Sequence, residues 1–235
     1  MVADPGSSLP PQEPGDPAAS ALAWDRRYQE GRDGWELGQP ALPLQHFLAH
    51  HPLAPQPPGQ VLVPGCGRGH EARLLAQLGF AVVGLDFSSE AIAAARQLAA
   101  PPDASLRWLQ ADLFDRQALA ANGLGAASLQ GWLEHTCFCA IEPEQRPAYL
   151  QTVVELLAPG GWLLALFWCH GRPGGPPYGS DADALARALA EVGLEPSIWQ
   201  PASASAPGRQ GQSRDNEWLG LWHKPLSQQA SSSDT

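Results

Sequence analysis

The stretch QVLVPGCGRG, residues 60–69, constrains this chain more than any other feature. An apolar run of strand length, Gln60 to Val63, passes through Pro64 into Gly65-x-Gly67-x-Gly69, and His70 to Leu78 then carries leucines at helical spacing (Leu74, Leu75, Leu78). Glycines between a strand and a helix let the backbone turn tightly and approach a ligand at the carboxyl end of a sheet. Asp86 closes a second apolar run, Ala81 to Asp86, 21 residues beyond Gly65. A carboxylate placed there can accept both hydroxyls of a ribose. The pair points to an adenosine-bearing cofactor. A tight turn with an N-capping aspartate is the plainer alternative.

The flanking pattern fits the same frame. Ser88 is positioned to N-cap a helix over Ala91 to Ala100. Leu106 to Ala111 and Ala126 to Glu134 read as the third and fourth strands. Glu142 to Leu157 is an amphipathic helix that Pro159-Gly160-Gly161 should stop, and Trp162 to Trp168 is the fifth strand. Asp181 to Val192 is a helix ended by Gly193, with Glu195 to Gln200 and Glu217 to Lys224 as the sixth and seventh strands. Strands alternating with helices predict an α/β, doubly wound, Rossmann-like sheet of seven strands, mostly parallel, with helices on both faces. The link Pro201 to Asn216 carries no helical pattern, so the last strand should be antiparallel, as a reversed edge strand. Residues 1–20 and 225–235 are rich in Pro, Gly, Ser and polar residues; they read as a disordered arm and tail around one domain, 21–224.

Composition removes several function classes. Hydrophobic residues make up 44% of the 235, enough for a sizeable core despite 24 Gly and 24 Pro. With 14 basic against 24 acidic residues and a net charge of -10, the chain lacks the basic face that nucleic acid or an anionic membrane surface demands. The longest apolar run, Trp162 to Cys169, is far too short to span a bilayer, and Met1 to Ser20 has neither the charged start nor the apolar centre of a signal peptide. Four cysteines (Cys66, Cys137, Cys139, Cys169) form no CxxC pair, which suits a reduced, cytoplasmic and soluble protein, expected here as a monomer. Cys137-x-Cys139 reads as packed thiols rather than a metal pair, and His46 and His50 lack the Glu of a metal-binding HExxH; no metal is expected.

The dinucleotide fingerprint is GxGxxG, whereas here the third glycine comes one residue early. GxGxG with an acidic end to strand two resembles the class I S-adenosylmethionine-dependent methyltransferases rather than dehydrogenases. Further segments narrow the resemblance: Trp24-(3)-Tyr28-(6)-Trp35 ahead of the sheet, LVPGCGRG, Cys139-Ala140-Ile141-Glu142-Pro143-(2)-Arg146-Pro147, and Gly175-Pro176-Pro177-Tyr178. In this order they are similar to the thiopurine S-methyltransferase family, nearest its halide/thiol methyltransferase branch, from Trp24 to about Lys224.

The resemblance implies S-adenosylmethionine as cofactor. It makes Trp24, Tyr28 and Trp35 an aromatic lid over the sulfonium, where ring faces suit a cation. It assigns Gly65, Gly67 and Asp86 to the methionine part and ribose, and Asp112 and Leu113 to the adenosine end. His135 takes a position usually aromatic in the family and close to the cofactor; it is a candidate base for a thiol, or a ring packed on the cofactor. Arg146 matches a family arginine near the acceptor. The Gly175–Tyr178 segment follows strand five, so it is expected to roof the acceptor pocket rather than to act as the Pro-Pro-Tyr motif of DNA amino-methyltransferases. The expected acceptor is a small soft nucleophile: a thiol, bisulfide, thiocyanate or halide. A larger aromatic thiol, another metabolite methylated at oxygen or nitrogen, and a non-catalytic cofactor-binding module remain the alternatives.

Overall fold

The computed structural model describes residues 20–53, 56, 59–203, 205, 211 and 214–226. Nearly all of the expected arm and tail lies outside these residues; Ser20 is described, and it caps the first helix. The strands of the described residues are β1 (Gln60–Pro64), β2 (Ala81–Asp86), β3 (Leu106–Gln110), β4 (Leu129–His135), β5 (Leu157–Trp168), β6 (Glu195–Pro201) and β7 (Glu217–His223). The helices are α1 (Ala21–Gln29), α2 (Leu42–His50), α3 (His70–Gln77), α4 (Ser89–Gln97), α5 (Arg116–Ala121), α6 (Arg146–Leu156) and α7 (Ala182–Glu191).

The strands form one sheet in the order β3-β2-β1-β4-β5-β7-β6. Neighbours from β3 to β5 are parallel, while β7 runs antiparallel to both β5 and β6. The order reverses between β1 and β4, and that switch point is where ligands bind in open α/β sheets. Two apolar clusters cover the two faces of the sheet. One packs Trp132, Tyr149, Phe138 and Phe167; the other packs Trp162, Phe80, Phe47 and Leu75. Trp162 is fully buried, and it lies where a Cβ on Gly131 would approach its ring to 2.2 Å, so the small residue on β4 makes room for the large one on β5.

Three expectations need correction. The reversed strand is interior: β7 bonds to β5 on one side and β6 on the other, leaving β6 as the edge. The helix before β5 ends at Leu156 without help from Pro159-Gly160-Gly161, which belongs to β5 itself. Gly160 (φ +78°) donates its N–H to the Lys224 carbonyl and Lys224 N–H donates to Gly161, so these glycines are stitched to the chain beyond β7. The lone lysine supplies what the helix end lacks, its Nζ donating to the carbonyls of Val154 (2.8 Å) and Leu157 (2.7 Å). Third, the crossover between β3 and β4 contains α5, a short helix capped by Asp115 that the pattern did not single out. The cap at Ser88 forms as expected, accepting the Ala91 N–H at 3.1 Å.

Candidate active site

The site grows from the loop after β1. Gly65, Gly67 and Gly69 have φ of +54°, +52° and +77°, conformations that a side chain would strain. Space is short as well: a Cβ on Gly65 would lie 2.9 Å from Cys137 Sγ, and one on Gly67 would lie 2.9 Å from the Tyr28 hydroxyl. The loop is thus threaded between the segment after β4 and α1. Asp86, 6% exposed at the end of β2, accepts the Gly67 N–H on Oδ2 and the Ser88 N–H on Oδ1, both at 3.0 Å. Burial pushes its carboxyl up to about 6, against the pull of those amides. Each oxygen keeps a second lone pair, the number two ribose hydroxyls require.

The N-terminal segment lies across this loop. Trp35 meets Trp24 edge to face with centroids 5.0 Å apart, and Tyr28 at 5.6 Å. Asp25 fastens α1 to the start of α4, accepting from Ser88 Oγ (2.6 Å), Ser89 Oγ (2.9 Å) and the Glu90 N–H (3.2 Å). Burial would raise the Asp25 carboxyl, but these hydrogen bonds outweigh it and hold it below the usual range. Arg68, inside the glycine loop, donates to the fully buried Asp33 at 2.8 Å and lies 3.2 Å from Glu36, which also pairs with His70 at 2.8 Å. Sequence reasoning missed these fasteners. Acids and arginines mixed through WDRRYQEGRDGWE read equally as a solvated helix face.

The end of β4 forms the opposite wall. Glu134 accepts from the Tyr149 hydroxyl and from the Phe138 N–H (2.8 Å), and Trp132 Nε1 donates to Tyr149 (3.0 Å); this buried network fixes the turn that follows His135. His135 is engaged at both ring nitrogens, Nδ1 with Glu71 Oε1 (2.9 Å) and Nε2 with Arg214 Nη1 (3.2 Å). A guanidinium only donates, so Nε2 accepts and Nδ1 carries the proton toward Glu71. Arg214, 5% exposed, also donates to the Trp35 carbonyl (2.6 Å) and pairs with Glu217 (3.3 Å). Neither Glu71 nor Arg214 stood out in the sequence; Arg214 lies in a stretch that reads only as a link between strands. Trp35, Gly65, Gly67, Glu71, His135 and Thr136 line a cavity of about 40 Å³ over the glycine loop.

In the loop expected to roof the acceptor, the Tyr178 N–H donates to the Cys139 carbonyl at 2.6 Å, which lays the Gly175–Tyr178 loop over the segment after β4. Arg146 holds that loop from below, donating to the carbonyls of Gly179 (2.8 Å) and Tyr178 (3.0 Å) and to Ser180 Oγ (3.1 Å), with its guanidinium 4.6 Å from the Phe138 ring. Cys66 and Cys139 are buried and Cys137 partly so. Leu113 is buried and Asp112 exposed beyond β3, on the rim that carries Asp86; Asp112 Oδ1 accepts the Phe114 N–H at 2.9 Å. A separate open groove of about 620 Å³, lined by residues including Cys169, His170 and Asp181, contains none of the expected site residues.

The residues present fit an S-adenosyl ligand. The glycine cradle, the buried Asp86 carboxylate bonded to it at the end of β2, and the aromatic cluster whose Tyr28 hydroxyl lies against Gly67 meet at the switch point of the sheet.

Comparison with known proteins agrees. The family model of thiopurine S-methyltransferase matches residues 19–194. Thiocyanate methyltransferase 1 of Arabidopsis thaliana is 31% identical over 204 residues, covering 86% of this chain and 84% of that protein. Probable thiol methyltransferase 2 of the same plant is 33% identical over 209 residues, covering 87% and 86%. Among solved structures, the Burkholderia thailandensis 1,6-didemethyltoxoflavin-N1-methyltransferase with bound S-adenosylhomocysteine superposes with a TM-score of 0.65 at 19% identity, covering 92% of this chain and 94% of that one.

Proposed function

The chain belongs to the thiopurine S-methyltransferase family, and on that premise we propose that this S-adenosylmethionine-dependent methyltransferase acts on a small soft nucleophile: a thiol, bisulfide, thiocyanate or halide. The thiocyanate and thiol methyltransferases among its relatives support that acceptor class. The observation that carries it is the engagement of His135, the candidate base, at both ring nitrogens. A site whose imidazole is committed to Glu71 and Arg214 favours acceptors that arrive already anionic. Soft anions meet that condition; alcohols and amines do not.

When bound, S-adenosylmethionine supplies a methyl carbon on a sulfonium whose sulfur takes back the bonding pair as an acceptor lone pair attacks. The chain's part is to position and to exclude water, which alone can remove a large share of the barrier to an in-line displacement. In this reading Asp86 receives the ribose, Asp112 and Leu113 flank the adenine, and Gly65 and Gly67 admit the tail. Trp24, Tyr28 and Trp35 close over the sulfonium with their ring faces. His135 serves as a wall of the tail pocket, and Arg146 shapes the acceptor side through the Tyr178 loop it fastens. Four unpaired thiols support a cytoplasmic enzyme, and among the described residues the large apolar side chains left exposed are few (Leu22, Leu78, Leu98, Leu226), as on a monomer.

Methyl transfer from labelled S-adenosylmethionine to iodide, thiocyanate, bisulfide, thiobenzoate and a thiopurine, with phenol and an amine as controls, tests the proposal. Turnover confined to the soft anions and thiols is expected. Turnover on phenol or amine with none on the soft anions refutes it.

A further inference from the structure

Glu71 stands on the first turn of α3 with its side chain in the cavity over the glycine loop. It is 8% exposed, and its oxygens are unequally used. Oε1 accepts both the Ala41 N–H (3.0 Å) and the His135 Nδ1–H (2.9 Å), whereas Oε2 has no partner among the other described residues. Burial alone would raise this carboxyl, but its partners, His135 first, hold it down to about 2, so it is an anion at any physiological pH.

Arg214 is paired with Glu217 and also meets His135 Nε2 at 3.2 Å. Glu71, with Oε1 engaged twice, lines a cavity of about 40 Å³. Buried charges are paired in stable proteins, and a space of that size holds one water or one small cationic group. Of the two charged groups at the methionine end of the cofactor, only the ammonium suits an anionic oxygen.

We propose that Glu71 Oε2 is the receptor for the α-ammonium group of the cofactor, with His135 and Arg214 as the residues that position it. The inference rests on the cofactor reading above and adds a binding residue to it. His135 thereby acts on the cofactor at one remove: its Nδ1–H occupies Oε1 and leaves Oε2 to face the cavity.

Calorimetric titration separates the outcomes with two probes, S-adenosylhomocysteine and its analogue lacking the α-amino group. The wild-type protein should bind the amine-bearing ligand at least about 30-fold more tightly, as suits a charge-assisted contact in a buried site. Glu71→Gln keeps an Oε1 acceptor for Ala41 and His135; it should lose most of that ratio by weakening S-adenosylhomocysteine alone, leaving the analogue within about 3-fold. Equal weakening of both ligands would mean a structural role and overturn the inference. So would a wild-type ratio near one, a result that needs no variant to fold. Failure of the wild-type protein to bind either ligand would instead overturn the cofactor reading itself, and the inference with it.

Discussion

Lowering the pH should weaken cofactor binding through Asp86, and the size of the effect follows from its surroundings. The carboxyl is raised to about 6 because burial outweighs the amides of Gly67 and Ser88. Hydroxyl donors prefer the ionised form, so binding is strong above that pKa and is lost as pH falls through it. At pH 5 roughly one molecule in eleven has Asp86 ionised, which gives about a tenfold rise in apparent Kd relative to pH 7. The groups that face Asp86 are shifted away from this range: Asp25 below 3.8, Cys66 and Cys137 well above 9.0 and Tyr28 well above 10.0. Titration with S-adenosylhomocysteine between pH 5 and 8, in buffers of different ionisation enthalpy, reads both the Kd and the proton released. Asp86→Asn should bind more weakly at pH 7, by about 30-fold for the loss of one charge-assisted hydrogen bond, and should show no slope across this range. A flat wild-type profile, or an unchanged slope in the Asn variant, would refute the assignment of Asp86 to the ribose.

Gly67→Ala should weaken cofactor binding, since its Cβ would lie 2.9 Å from the Tyr28 hydroxyl at a φ of +52°. Adding Tyr28→Phe should restore part of the affinity by removing that oxygen, while the backbone strain of about 1 kcal/mol persists as a lower Tm. Arg146→Ala frees the carbonyls of Tyr178 and Gly179, and should raise the acceptor KM at least about tenfold with the cofactor KM nearly unchanged; initial-rate kinetics with both substrates varied will show it, and the reverse pattern would move Arg146 off the acceptor side. The four thiols are pushed up by burial, Cys139 to about 12 and Cys169 to about 11, with Cys66 and Cys137 well above 9.0. Iodoacetamide at pH 8 should therefore label the native protein slowly and the urea-unfolded protein fast, measured by intact mass.

The parts of this fold that rest on local chemistry were legible in the sequence. Ala81–Asp86 is a strand with the expected limits, because an apolar run bounded by Gly79 and Ser88 leaves little choice, and Ser88 caps its helix as its position implies. The start of β5 was not legible. Pro159-Gly160-Gly161 is a stop signal by composition, but pairing with β4 and with the chain after β7 draws it into the sheet. The order of β6 and β7 was hidden for a similar reason, since a hairpin pattern does not say which strand faces β5. In the site, the glycines and Asp86 announce themselves by spacing. Glu71 and Arg214 owe their importance to partners 64 and 79 residues away, at His135, and no local pattern encodes such a meeting.

The way α1 is attached has a consequence for how this protein fails. No residue of α1 is fully buried, and what holds it is the grip of Asp25 on α4 and of the aromatic rings on one another. The sheet beneath rests on fully buried tryptophans and leucines. Segments with little apolar burial open at lower free energy than the core they cover. The amides of Ala21–Gln29 should thus exchange with deuterium long before those of Leu129–His135. In rising denaturant, catalysis should disappear while the circular dichroism of the sheet is intact, so an activity-based melting curve would report the loss of one helix and not of the fold.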